Sequence, residues 1–125
     1  FDYDKGWGQI IRQNSQTMWE GFDDIESHSH AWGLYPVKLI QKYMLGISFD
    51  EIEKHKIYIK PQISKRINHL KGDVISELGI ISFSYDVKDG EVTFKYVIPK
   101  GLNAEFEYKH ISKTLIGSDE ISLKI

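Results

Sequence analysis

The stretch ISFSYDVKDGEVTFKYVI, residues 81–98, decides the fold. Ile81, Phe83, Tyr85 and Val87 alternate with Ser82, Ser84 and Asp86; after Lys88-Asp89-Gly90-Glu91 the alternation resumes with Val92, Phe94, Tyr96 and Ile98. A period of two places the apolar side chains on one face of two strands. Asp-Gly between them is a strong two-residue turn signal, because both residues tolerate positive φ. The segment therefore predicts an antiparallel hairpin with a buried aromatic face, in which Ile81, Phe83, Val92, Phe94 and Tyr96 point inward. Further strands are predicted at 56–60, 70–76, 103–109 and 120–125, with Pro61, Pro99 and Gly101 as breaks. Half a dozen short antiparallel strands with aromatic inner faces predict a β-sandwich.

Upstream of Gly46 the period changes. Residues 6–14 fit a short helix, 15–29 read as a loop, and SHAWGLYPVKLIQKYML (29–45) reads as a helix with Ser29 as N-cap and Gly46 as C-terminal stop. Pro36 either kinks this helix or marks its first turn. Its polar residues after Pro36, Lys38, Gln41 and Lys42, form one narrow stripe. Trp32, Leu39, Tyr43 and their apolar neighbours cover the remaining circumference, more than one short helix could bury. Either this segment comes from a larger helical domain or it lies on the downstream sheet. The fold class is mainly β with an N-terminal helical segment, the helical part in residues 1–48 and the sandwich in 49–125.

The length of 125 residues sets a ceiling of one complete domain. With 16 Lys plus Arg against 18 Asp plus Glu and no basic stripe, nucleic acid is not an expected partner. No apolar run approaches the roughly 20 residues that span a bilayer, so no membrane association is expected. The absence of Cys removes disulfides, thiolate metal sites and thiol nucleophiles. Nothing near Phe1 has the layout of a signal peptide, and the compartment is undetermined.

The loop is the chemically dense region. Glu20 lies between Trp19, whose indole could stack on a sugar ring, and Gly21, which permits close backbone approach. Taken alone, Glu20 reads either as a solvated surface charge or as a carboxylate that polarises water. His30 reads either as a hydrogen-bonded residue at a helix start or as a substrate contact. His28 and His30, two apart, do not make a metal pair on a helix. Asp23, Asp24 and Glu26 lack the alternation of a calcium loop. No metal site and no cofactor are expected. Tyr58 and Tyr108 are the candidates for outward sugar-binding rings.

Two segments, TMWEGFDDIESHSHAWG with the following YMLGI, and IYIKPQI with its trailing strands, resemble the C-terminal end of the bacterial α-L-rhamnosidases of glycoside hydrolase family 78. The elements are Thr17, Trp19 and Glu20; Ser29, His30, Ala31 and Trp32; Leu45, Gly46 and Ile47; and Lys60, Pro61 and Gln62. The resemblance implies the last helices of an (α/α)6 barrel running into a C-terminal β-sandwich, in an enzyme that removes terminal α-L-rhamnose with inversion. It further implies Glu20 as general base, His30 as a ligand to rhamnose hydroxyls, and Trp19 as part of the subsite wall. The general acid would lie on an upstream barrel segment, so the chain alone would be inactive. Gly21-Phe22 stands where many relatives have Arg-Trp. The implied partners are a rhamnose-containing glycoside or polysaccharide and the missing barrel, with self-association through the uncovered helix a further expectation. Two alternatives are another sugar specificity on the same barrel and a non-catalytic carbohydrate-binding sandwich.

Overall fold

The structure, a computed structural model, describes residues 7–16, 19 and 35–125. The chain forms two compact units, Phe1–Lys38 and Leu39–Ile125. In the first, α1 (Trp7–Arg12) falls inside the helix predicted at 6–14 and buries Ile10. Helix α2 (Tyr35–Leu39) has Pro36 as its second described residue.

The second unit opens with a π-helical segment, Ile40–Leu45, that stops at Gly46 as predicted. Gly46 has φ 73° and donates its N–H to the Gln41 carbonyl. Its carbonyl accepts the Lys60 N–H at 3.0 Å, and the chain just after β2 lies so close that an added Cβ would meet the Lys60 carbonyl oxygen at 2.0 Å. Only glycine satisfies both the left-handed backbone and this approach. Much of the helical surface read as apolar remains uncovered: Leu39 and Tyr43 are exposed, whereas Leu45 is buried against the missing side chain of Gly72. Trp32 lies outside the described residues.

Eight strands follow: β1 (Ile47–Phe49), β2 (Lys56–Ile59), β3 (His69–Ser76), β4 (Gly79–Lys88), β5 (Glu91–Val97), β6 (Asn103–Tyr108), β7 (Ile111–Leu115) and β8 (Ser118–Lys124). They make two four-stranded sheets, sheet A in the order β1-β2-β6-β7 and sheet B in the order β3-β4-β5-β8. The first strand thus begins two residues ahead of residue 49. The predicted hairpin is β4-β5, with Lys88 opposite Glu91 and both Asp89 and Gly90 at positive φ.

Two strands escape the sequence reading. β1 is only three residues long, and β7 (ISKTL) has one buried side chain, Leu115, too few for a visible alternation. The turn before β7 is Lys109-His110, with Lys109 at φ 53° and no Gly, Asn or Asp to announce it. One pairing also departs from the all-antiparallel expectation. After β2 the chain leaves for sheet B, builds β3, β4 and β5, and returns as β6 parallel to β2.

Both inner faces join one core. Ile57, Ile59, Ala104 and Phe106 from sheet A meet Ile81, Phe83, Val92 and Phe94 from sheet B. Phe94 sits at the centre: its ring centroid lies 5.9 Å from Phe83, 5.1 Å from Phe106 and 5.0 Å from Tyr108. The inward phase predicted for 81–98 is the one observed. Tyr85 is fully buried in this core, and its hydroxyl has no hydrogen-bond partner among the described residues. Burial raises its pKa above that of a free phenol. A stranded buried hydroxyl costs roughly 1–3 kcal/mol. Tyr85→Phe should therefore equal or exceed the wild type in denaturant stability; a loss of more than about 1 kcal/mol would mean that the hydroxyl is satisfied.

Candidate functional site

Glu20 and His30 lie outside the described residues. Trp19 is described: it is 4% exposed and donates its indole N–H to Ser15 Oγ at 3.0 Å. Among the described residues no group of three or more His, Cys, Asp or Glu could hold a metal ion. Among them, too, no helix is long and apolar enough to cross a membrane.

The two tyrosines named as outward platforms are engaged differently. Tyr108 packs edge-on against Phe94 and is partly buried, which raises its pKa; it belongs to the core. Its alternation within β6 is in phase with Phe106, two residues earlier, a signal that placed it inside rather than out. Tyr58 does face outward from sheet A, but its hydroxyl donates to Asp50 Oδ2 at 2.8 Å. The Lys56 and Lys60 ammonium groups lie 5.5 and 5.9 Å from its ring centroid. Asp50 also accepts the Glu53 and Ile52 backbone N–H groups on its other oxygen, and these bonds, with Tyr58, hold its pKa below the usual carboxylate range. Bonding to that carboxylate raises the pKa of Tyr58. Lys60 is paired with Glu107 at 2.6 Å. This network clamps the β1–β2 connection to the sheet and leaves the Tyr58 ring between two cations.

Concavities among the described residues include a cleft and a groove on the sandwich. A cleft of about 190 Å³ lies where the β1–β2 loop meets the β3–β4 turn, with His55 Nε2 3.6 Å from Glu77 Oε2. A wider groove of about 590 Å³ runs over the outer face of sheet B. Its floor includes Ser82 and Ser84 of β4, and Lys71, Lys95 and Glu120 rise from the neighbouring strands. The sequence reading saw these residues only as the polar phase of the hairpin. Serines recurring at every second position of a central strand, between strands with long polar side chains, were the available signal.

Similarity to known proteins follows the same architecture. A solved α-L-rhamnosidase from Streptomyces avermitilis, in complex with L-rhamnose, superposes with a TM-score of 0.73 at 18% identity, covering 94% of this chain. An α-L-rhamnosidase from Dictyoglumus thermophilum superposes with a TM-score of 0.69 at 14% identity, covering 92% of this chain. At these identities the likeness is one of fold. The chain spans only 15% and 16% of the length of those two proteins. A search of curated proteins gave no match. Residues 55–119, reaching from the start of β2 into β8, match the family described as the bacterial alpha-L-rhamnosidase C-terminal domain. With more than half of its length in that match, the chain belongs to the bacterial alpha-L-rhamnosidase C-terminal domain family.

Proposed function

We propose that this chain is the C-terminal part of an inverting α-L-rhamnosidase, the residues ahead of Ile47 closing its helical barrel and the strands from β1 onward forming its sandwich. The observation that carries this reading is the family match over 55–119, downstream in the same chain of the Thr17-x-Trp19-Glu20 and Ser29-His30-Ala31-Trp32 elements. In such a reaction one carboxylic acid protonates the leaving oxygen while a carboxylate activates water on the opposite face of the sugar, the pair standing roughly 6.5–9.5 Å apart. Glu20 is the water-activating base. Its partner acid belongs to a barrel segment beyond this chain. His30 binds rhamnose hydroxyls, and Trp19, its indole oriented by Ser15, completes the subsite wall. The exposed Leu39 and Tyr43 are the surface that further barrel helices would cover, and in their absence the isolated chain would self-associate through it. The substrate is a glycoside or polysaccharide with terminal α-L-rhamnose.

The test is stereochemical. With the full-length parent and an aryl α-L-rhamnoside, proton NMR during the first turnovers should show β-L-rhamnose as the initial product; the α anomer appearing first would overturn inversion. The 125-residue chain by itself should show no turnover, because it lacks the group that protonates the leaving oxygen.

A further inference from the structure

The groove on sheet B is built by side-chain length. In register across the sheet, Lys71, Ser84, Lys95 and Glu120 form one row, and Asp73, Ser82, Val97 and Ser118 the next. Short serines on the central strand between longer groups on its neighbours leave a trough in an otherwise even face. Phe83 and Tyr96 also border it, although both are buried in the core. The volume of about 590 Å³ lies in the range of small-molecule sites, roughly 300–1,000 Å³.

The chemistry of the trough favours an uncharged, hydroxyl-rich ligand. Its ionic groups are largely matched within the face: His69 Nδ1 lies 2.6 Å from Asp86 Oδ1, and Lys95 Nζ lies 4.0 Å from Glu120 Oε2. Ser82 donates to Asp73 Oδ1 at 2.6 Å, which leaves its oxygen to accept. Lys71 and Ser84 have no side-chain partner among the described residues, so a donor and a hydroxyl sit side by side on adjacent strands, available to a ligand. No single sign of charge dominates, and an anion or cation gains no field here. At one end the surface turns apolar: Val97 lines the groove, and the facing pair Ile75 and Ile80 continues past it, all three exposed.

We infer that this groove binds a neutral oligosaccharide whose hydroxyls meet Ser84, Lys71 and Glu120 and whose apolar edge, the C6 methyl of a 6-deoxyhexose, rests on Val97 and Ile80. The choice of a 6-deoxyhexose rests on the rhamnosidase reading; the groove's preference for a neutral saccharide does not. The face has no exposed aromatic ring among the described residues, so affinity comes from hydrogen bonds that compete with water and falls near the millimolar level.

The experiment is an amide NMR titration of the 125-residue chain with a neutral rhamnose tetrasaccharide, with maltotetraose and with oligogalacturonate as comparisons. The expected result is a saturable shift of amides at 82–84, 95–97 and 118–120 by the rhamnose tetrasaccharide, weaker by at least tenfold in Ser84→Tyr. That variant fills the trough with a residue suited to a strand. Lys71→Ala, which adds no bulk, should weaken binding at least threefold and serves if Ser84→Tyr does not fold. Ser112→Tyr, on the outer face of sheet A, should leave binding unchanged. No saturable shift in the groove, shifts that survive both groove variants, or tighter binding of oligogalacturonate would overturn the proposal. Equal binding of maltotetraose would overturn the 6-deoxyhexose assignment. Hydrolysis by the full-length parent is a separate measurement, so either reading can fail without the other.

Discussion

Glu20→Gln in the full-length parent should lower kcat by roughly 10²–10⁴-fold, the range associated with a positioned acid or base, while KM changes little. The amide retains the shape and hydrogen-bonding reach of the carboxylate but cannot take a proton from water. The loss therefore falls on the chemical step and not on ground-state binding. His30→Ala should do the reverse, raising KM more visibly than it lowers kcat, because it removes the proposed contact to substrate hydroxyls. Steady-state kinetics on an aryl α-L-rhamnoside, with circular dichroism to establish folding, read both effects. A folded Glu20→Gln enzyme with near-normal kcat would move the base to another residue and remove the central functional claim.

The second large effect is structural. Phe94→Ala should destabilise the sandwich by about 3–5 kcal/mol, the range for removing a buried aromatic side chain. Phe94 is fully buried and its ring touches aromatic rings on both sheets, so truncation opens a cavity at the centre of the core that neither sheet can close alone. A domain of this size has only about 5–15 kcal/mol in total, so the variant would lose a large share of it. Urea denaturation followed by the tryptophan-independent far-UV signal measures the difference. Thr93→Ala, beside it on the outer face with its hydroxyl bonded, among the described residues, to Ser122 Oγ at 2.9 Å, should cost no more than about 1 kcal/mol. Equal losses for the two would mean that Phe94 does not anchor the inter-sheet core.

Local pattern carried much of this fold. The β4-β5 hairpin was legible because two signals coincided, a period of two on both sides and Asp-Gly between them, and the register with Lys88 opposite Glu91 follows from that turn. Gly46 was legible as a helix stop for a similar reason, a glycine at the point where one period ends and another begins. The candidate catalytic residues were chosen in a different way. Nothing in the chemistry of Glu20 separates it from any exposed carboxylate; it was the spacing of Thr17, Trp19, Ser29, His30 and Trp32 around it, through the family resemblance, that singled it out.

Which side chains of each strand face the core can be read along the chain, since alternation follows from backbone geometry within a few residues. Ile81, Phe83, Val92, Phe94 and Tyr96 are inside for that reason alone. The tertiary structure decided which strands become neighbours. The parallel pairing of β2 with β6 joins residues more than forty positions apart, Ile57 to Ala104, across three intervening strands, and no local period records it. Tyr58 shows the same limit: its outward phase was readable, but its capture by Asp50 and its position between two lysines depend on the β1–β2 loop folding back. The groove likewise exists only once β3, β4, β5 and β8 lie side by side, because a trough is a difference in side-chain length between strands, and that difference has no meaning until the sheet sets their order.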